Sequence, residues 1–181
     1  MSTADHDAPV EITWQGKFIT AKKQGRWEYV ARSRGIRAAA ILAVDEDDHV
    51  LLVEQYRVPL GRNCLEFPAG LIGDDDGMED EDALTAAGRE LEEETGYRAS
   101  TLENLGTFYS SPGMVSESFT LVRARGLTKV GEGGGVEGEN ITVHRVARSD
   151  LTEFIAAKRQ EGCGIDVRML TLLGQGFIEG E

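Results

Sequence analysis

Glu90, Glu93 and Glu94 fall within one short run, RELEEETG, at residues 89–96. On a helix, residues four apart lie one above the other, so Glu90 and Glu94 stack and Glu93 sits one step around the same side. Converging carboxylates repel one another unless a cation sits among them. Hard oxygen ligands of this kind suit Mg²⁺ or Mn²⁺, which take a few carboxylates together with water and substrate phosphate. Taken alone, the run also fits a solvated helix with surface charge. Glu92 does fit that description, because it points elsewhere on the helical wheel.

The element that must position these groups is a helix from about Glu79 to Thr95, with acids in its first turn and Gly96 as its stop. Leu84, Ala87 and Leu91 share one narrow apolar stripe that must face a core, and Glu90 and Glu94 border it. The acidic stretch DDDGMEDED (74–82) ahead of the helix reads as a loop; its spacing around Gly77 does not match a calcium loop of the EF-hand kind.

Upstream, residues 36–58 read as a hairpin, two apolar runs flanking the polar turn Asp45–Asp48. Residues 10–34 read as two or three short strands broken at Gly16 and Gly25, with too little apolar mass to stand alone. Residues 1–9 are expected to be a disordered leader. Strands are expected near 104–109, 119–125 and 140–147, the last two separated by the glycine-rich loop GEGGGVEGE (131–139). Two closing helices start at Ser149–Asp150 and at Asp166. This order predicts an α/β (α+β) fold, a mixed β-sheet sandwiched between helices, with a small N-terminal antiparallel β ribbon and one main domain over 35–181.

The net charge of −13 over 181 residues argues against a broad phosphate-gripping surface, so nucleic acid is not an expected partner. An anionic substrate would then need a metal cation to mediate its binding. Cys64 and Cys163 form no disulfide framework and no zinc spacing, as expected of a reduced intracellular protein. The first residues carry no apolar signal region, and no run is long and apolar enough for a membrane span. A cytoplasmic protein with no membrane partner is the expectation.

RELEEETGY resembles the core of the Nudix box, the Arg-Glu-apolar-x-Glu-Glu-x-Gly-apolar signature of diphosphate hydrolases. EFPAGLI (66–72) is similar to the Glu-x-Pro-Ala-Gly segment that opens the box in the ADP-ribose and ADP-sugar pyrophosphatase branch. One departure stands out. The family places a glutamate six residues after that glycine and the arginine eight further on, whereas Gly70 and Arg89 here are nineteen residues apart. Glu79 and Glu81 are both candidates for the first box glutamate.

The resemblance implies a Nudix fold and Mg²⁺-dependent hydrolysis (Mn²⁺ being the alternative) of a nucleoside diphosphate sugar. ADP-ribose, giving AMP and ribose 5-phosphate, is the leading substrate. Another nucleoside diphosphate derivative is the runner-up; a non-catalytic nucleotide-sensing module is disfavoured because the glutamates are all present. By the same resemblance, Glu90, Glu93, Glu94 and the Ala69 carbonyl hold metal, and Arg89 orients the glutamates. Arg57 grips the diphosphate, with Glu66 in the substrate site. Pro112 follows Gly96 by sixteen residues, and the loop SSPGMVSES (110–118) resembles the segment that supplies a catalytic base, which nominates Glu117. In that branch the N-terminal sheet crosses to a partner subunit and its aromatics sandwich the base, so Phe18 and Trp27 are nominated and a homodimer is implied.

Overall fold

The computed structural model describes residues 4–33, 36–73, 81–136 and 138–174. Glycines at 16 and 25 divide the N-terminal segment into β1 (Val10–Gln15), β2 (Ile19–Gln24) and β3 (Trp27–Arg32), an antiparallel sheet in sequential order. Every residue of β1 is exposed, and Thr20, Ala31 and Ser33 are the ribbon residues that are buried among those described. The ribbon is tied to the main domain through β3: the Val30 N–H donates to the Met114 carbonyl and the Ser116 N–H to that of Val30. Residues 4–9, expected to be disordered, instead carry a 3-10 turn at Asp5–Asp7, held by a fork from Arg26 to the Asp5 carboxylate.

The strands of the main domain are β4 (Arg37–Ala43), β5 (His49–Arg57), β6 (Arg62–Glu66), β7 (Ala69–Ile72), β8 (Tyr97–Tyr109), β9 (Ser118–Lys129), β10 (Thr142–Ala147) and β11 (Gly164–Ile165). They form two four-stranded sheets, ordered β7-β4-β9-β8 and β10-β5-β6-β11. Each is mixed, because β4 runs parallel to β9 and β6 parallel to β11.

The expected hairpin over 36–58 is therefore only half right. Its turn forms, with the Asp45 carboxylate accepting from the backbone N–H groups of Asp47 and His49. Beyond one bridge between Val44 and Val50, however, β4 and β5 part into different sheets. Both strands are apolar on both faces, so each is buried as a central strand with its own pair of neighbours.

Alternation along β4 feeds two cores. Ala39, Ile41 and Ala43 join Leu51, Ile72, Val122 and the helix α1 (Ala83–Thr95), while Ala40 and Leu42 join Leu52, Leu65, Phe67 and Leu121. The second core is closed by α2 (Leu151–Gln160) and by a 3-10 helix, Val167–Leu173, where the sequence suggested a helix from Asp166. The sheets thus lie between helical layers, the expected fold class. Among the described residues no helix is long and apolar enough to cross a membrane.

The helix α1 starts later than its acids suggest. Asp82 caps it, accepting from the N–H groups of Leu84 and Thr85, so Glu81 precedes the helix; Glu79 lies outside the described residues. Ala83, Ala86, Ala87 and Leu91 are buried against the sheet. Burial of Leu91 alone contributes about 2 kcal/mol, and Leu91→Ala would loosen the helix that carries the glutamates.

Candidate active site

β7 runs beneath the last turns of α1, and the two elements touch through glutamates. The Ala69 N–H donates to Glu94 Oε2 at 2.9 Å. Gly70 lies directly under Glu90, where a Cβ would run into the glutamate carboxyl group, so a larger residue would have to displace that side chain. The register that places Gly70 there is set by β4, with Ala39 opposite Gly70 and Ala40 opposite Ala69.

Glu94 is 4% exposed. Burial pushes its carboxyl up to about 8; the Ala69 N–H works against this, while the charges of Glu90 and Glu139 add to it. Glu90 is also held above the usual carboxylate range, first by burial, with Arg89 opposing and Glu93 adding. Arg89 clasps the helix's outer acids: its Nη1 lies 2.9 Å from Glu90 and 3.3 Å from Glu93, and its Nη2 is 3.7 Å from Glu81. Glu93 is exposed and turned toward Arg89, so the structure brings Glu90 and Glu94 together and leaves Glu93 at the rim.

Among the described residues no group of three or more His, Cys, Asp or Glu forms a ready-made metal cage. Two carboxylates with raised pKa beside an exposed rim fit an ion that keeps several waters and also binds substrate phosphate, as Mg²⁺ does. Softer metals seeking thiolate or imidazole would find neither among the donors named here.

Arg57 ends β5 and faces this cluster closely enough that its charge and that of Glu94 act on each other. Its Nε and Nη2 donate to the two oxygens of Glu66, at 2.7 and 2.9 Å. Glu66 itself is 3% exposed. Both of its oxygens accept from arginines, so it stands behind Arg57.

Glu117 is not brought to the cluster. It pairs with Arg32 and lines a cleft of about 550 Å³ between the ribbon and the domain. Phe119, two residues past Glu117, pairs with Ala38 of β4, while Ala39 and Ala40 face Gly70 and Ala69. Phe18 and Trp27 are both exposed but lie at opposite ends of the β2–β3 ladder, where Ile19 pairs with Arg32 and Gln24 with Trp27. Five residues, about 17 Å, separate those ends, so the two rings of one chain cannot close on a single base.

Comparison with known proteins decides the family. Residues 34–162 match the NUDIX domain. The chain belongs to the NUDIX family. It is 37% identical over 122 residues to an ADP-ribose pyrophosphatase of Bacillus subtilis, covering 67% of this chain and 63% of that protein. It is also 35% identical over 155 residues to a GDP-mannose pyrophosphatase of Cronobacter sakazakii, covering 81% and 76%. A solved structure described as an ADP compounds hydrolase superposes with a TM-score of 0.68 at 25% identity, covering 92% of this chain and 90% of that one. The chain spans a little under two thirds of the length of some of these relatives, 64% for a methanol dehydrogenase activator of Bacillus methanolicus.

Within the NUDIX frame, three residues gain importance that spacing alone did not give them. Glu81, one of two candidates for the first box glutamate, lies beside Arg89, its Oε2 being 3.7 Å from Nη2. Glu139 arrives from the glycine-rich loop. Gly133, Gly134 and Gly135 all have left-handed φ angles, of 69°, 105° and 76°, which a side chain would resist. In this path the Gly134 and Gly135 N–H groups donate to the Glu94 and Glu93 carbonyls, which the helix end leaves unpaired. The same loop carries Glu139 close enough to raise both Glu90 and Glu94. Its sequence signal was a glycine run ending in an acid between two strands. Arg168 is the third: its Nη2 donates to Glu66 Oε2 at 3.1 Å. Its only local signal was Asp166 two residues before it.

Proposed function

We propose that this protein hydrolyses the diphosphate bond of a nucleoside diphosphate sugar, with ADP-ribose as the leading substrate and AMP and ribose 5-phosphate as products. The observation that carries the reading is Glu94, a buried carboxylate packed against like charges with a backbone N–H as its direct partner. Such a group is costly unless a cation completes it. The relatives named for ADP-ribose and GDP-mannose support the substrate class.

Glu90, Glu94 and the Ala69 carbonyl are the groups that would hold Mg²⁺ or Mn²⁺, with Glu93 at the rim. When bound, the ion would neutralise the diphosphate and the charge that develops on it. Arg57, fixed in plane by Glu66, is placed to grip a non-bridging oxygen with the edge it does not use on Glu66. Glu139, whose charge acts on both Glu90 and Glu94, is proposed in place of Glu117 as the acid that would hold the attacking water and accept its proton. The water oxygen attacks one phosphorus and the bridging P–O bond breaks, leaving a phosphate on each product. Arg89, in contact with Glu90, Glu93 and Glu81, would orient these glutamates.

The ribbon, residues 10–34, is proposed to reach a second subunit of a homodimer. An edge strand with Val10, Ile12 and Trp14 exposed supports this, as does the distance between Phe18 and Trp27, which could meet a base only across two chains. Sedimentation at micromolar concentration should give a dimer, and a monomer would refute this arrangement. The cytoplasm is the proposed location.

The test is a panel of nucleoside diphosphate sugars, dinucleotides and nucleoside triphosphates assayed with and without Mg²⁺, products being separated by chromatography. Release of AMP and a sugar phosphate only with metal is expected. Metal-independent or absent turnover across the panel would overturn the reading. Glu139→Gln should lose roughly 10²–10⁴-fold in kcat, the usual worth of a positioned base, and Glu117→Gln much less. The reverse ranking would return the base to the 110–118 loop.

A further inference from the structure

Glu66 is served by two arginines, and the second belongs to neither of the segments that make the metal pair. Arg168 sits at the start of the closing 3-10 helix. Its Nε and Nη2 make a fork with Asp166, both at 2.8 Å, and the same Nη2 also donates to Glu66. Asp166 in turn caps that helix, accepting from the Arg168 N–H at 2.7 Å, and its own N–H is held by the Leu65 carbonyl of β6. The guanidinium carbon lies 5.6 Å from the centre of the Phe119 ring. Charges thus alternate along one chain of contacts, Asp166, Arg168, Glu66, Arg57. The side chain of Arg168 is 17% exposed and that of Arg57 39%, so the chain of contacts opens to solvent at the Arg57 end.

We propose that Arg168 is a positioning residue, which locks the Glu66 carboxylate so that Arg57 presents its free edge to the substrate diphosphate. The proposal rests on the assignment of Arg57 to the diphosphate. A carboxylate held by Arg57 alone could swing with it, because Arg57 is more than a third exposed on a flexible stem. With Oε2 shared between two guanidiniums, and one of these anchored by Asp166 and packed on Phe119, the plane of Glu66 is set from behind. Arg57 Nη1 has no protein partner among the described residues, and it is the edge left to meet an anion. Fork geometry matters here because a bidentate grip fails with small angular error. Misplacement by about 1 Å costs up to roughly 10²-fold in rate.

The experiment is a double-mutant cycle on ADP-ribose hydrolysis, with Arg57→Gln, Arg168→Gln and the double variant. Thermal melts and Mn²⁺ titration of each protein accompany the kinetics. Arg168→Gln is expected to lower kcat/KM about 10- to 100-fold while leaving Mn²⁺ affinity within about twofold. In the Arg57→Gln background the same change should cost less than about threefold, because the group it positions is already gone. Arg168→Lys keeps the charge but not the fork, and should lose an intermediate amount; it also carries the cycle if Arg168→Gln does not fold. Losses that multiply in the double variant, or an Arg168→Gln protein as active as wild type, would overturn the positioning role while leaving Arg57 its own. If Arg57→Gln is itself fully active, the diphosphate assignment falls and the proposal falls with it.

Discussion

Two buried glutamates on neighbouring elements are treated in opposite ways. Glu66, on β6, is met by Arg57 and Arg168 with three charge-assisted hydrogen bonds. Glu94, on α1, is equally buried but among the described residues receives one backbone N–H. It lies near the charges of Glu90 and Glu139, with the charge of Arg57 opposing them. A carboxylate whose counter-charges the fold supplies is finished when the chain folds. One that the fold sets beside like charges is the one proposed to take a cation, so the contrast separates the proposed positioning part of the site from the proposed metal-binding part.

The widest gap between the two should appear in activity. Glu94→Gln keeps size but removes the ligand charge, and metal-dependent turnover should fall by roughly 10³-fold, the several kcal/mol that a bound metal supplies. Its melting temperature should hold or rise, because a carboxyl that must take up a proton to be buried is gone. Unchanged turnover at saturating Mg²⁺ would erase the contrast.

Glu66→Gln tests the other side through stability. It leaves two arginines without their shared carboxylate, and breaking a buried pair costs about 3–5 kcal/mol, which chemical denaturation would measure. A loss no larger than that of Glu94→Gln would mean the two sites are not differently built.

The smallest effect is in pH dependence without metal. Folding raises the Glu94 carboxyl from its ordinary value of 4.5 to about 8, and raises Glu90 in the same direction. These groups bind protons more tightly in the folded state. Their stabilising contribution is therefore fully present below the ordinary carboxylate pKa and is lost as pH rises toward 8. In chelator-treated protein the melting temperature should decline from pH 5 to pH 8, at roughly 2–4 °C per kcal/mol for a chain of this size. Saturating Mg²⁺ should remove the decline, and Glu94→Gln should flatten it. A slope identical in wild type and Glu94→Gln would refute the assignment of the shift to this residue.

Local features were legible in the sequence because their causes are local. The stacking of Glu90 on Glu94 follows from helical periodicity, the stop at Gly96 from a residue that accepts a left-handed turn, and the three ribbon strands from glycines at 16 and 25. The glutamate-bearing half of the site could thus be read before any fold was known. Tertiary structure alone decided the rest. β4 and β5 share a turn but not a sheet, since each strand's two apolar faces are satisfied only by partners elsewhere in the chain. The glycine-rich loop was read only as a connection, yet its three left-handed glycines fold it onto the open end of α1, so that the Gly134 and Gly135 N–H groups meet the Glu94 and Glu93 carbonyls. Arg168 reaches Glu66 across 102 positions. A carboxylate's charge state depends on what surrounds it and how much water is excluded, and neither neighbours nor burial exist until distant segments have packed.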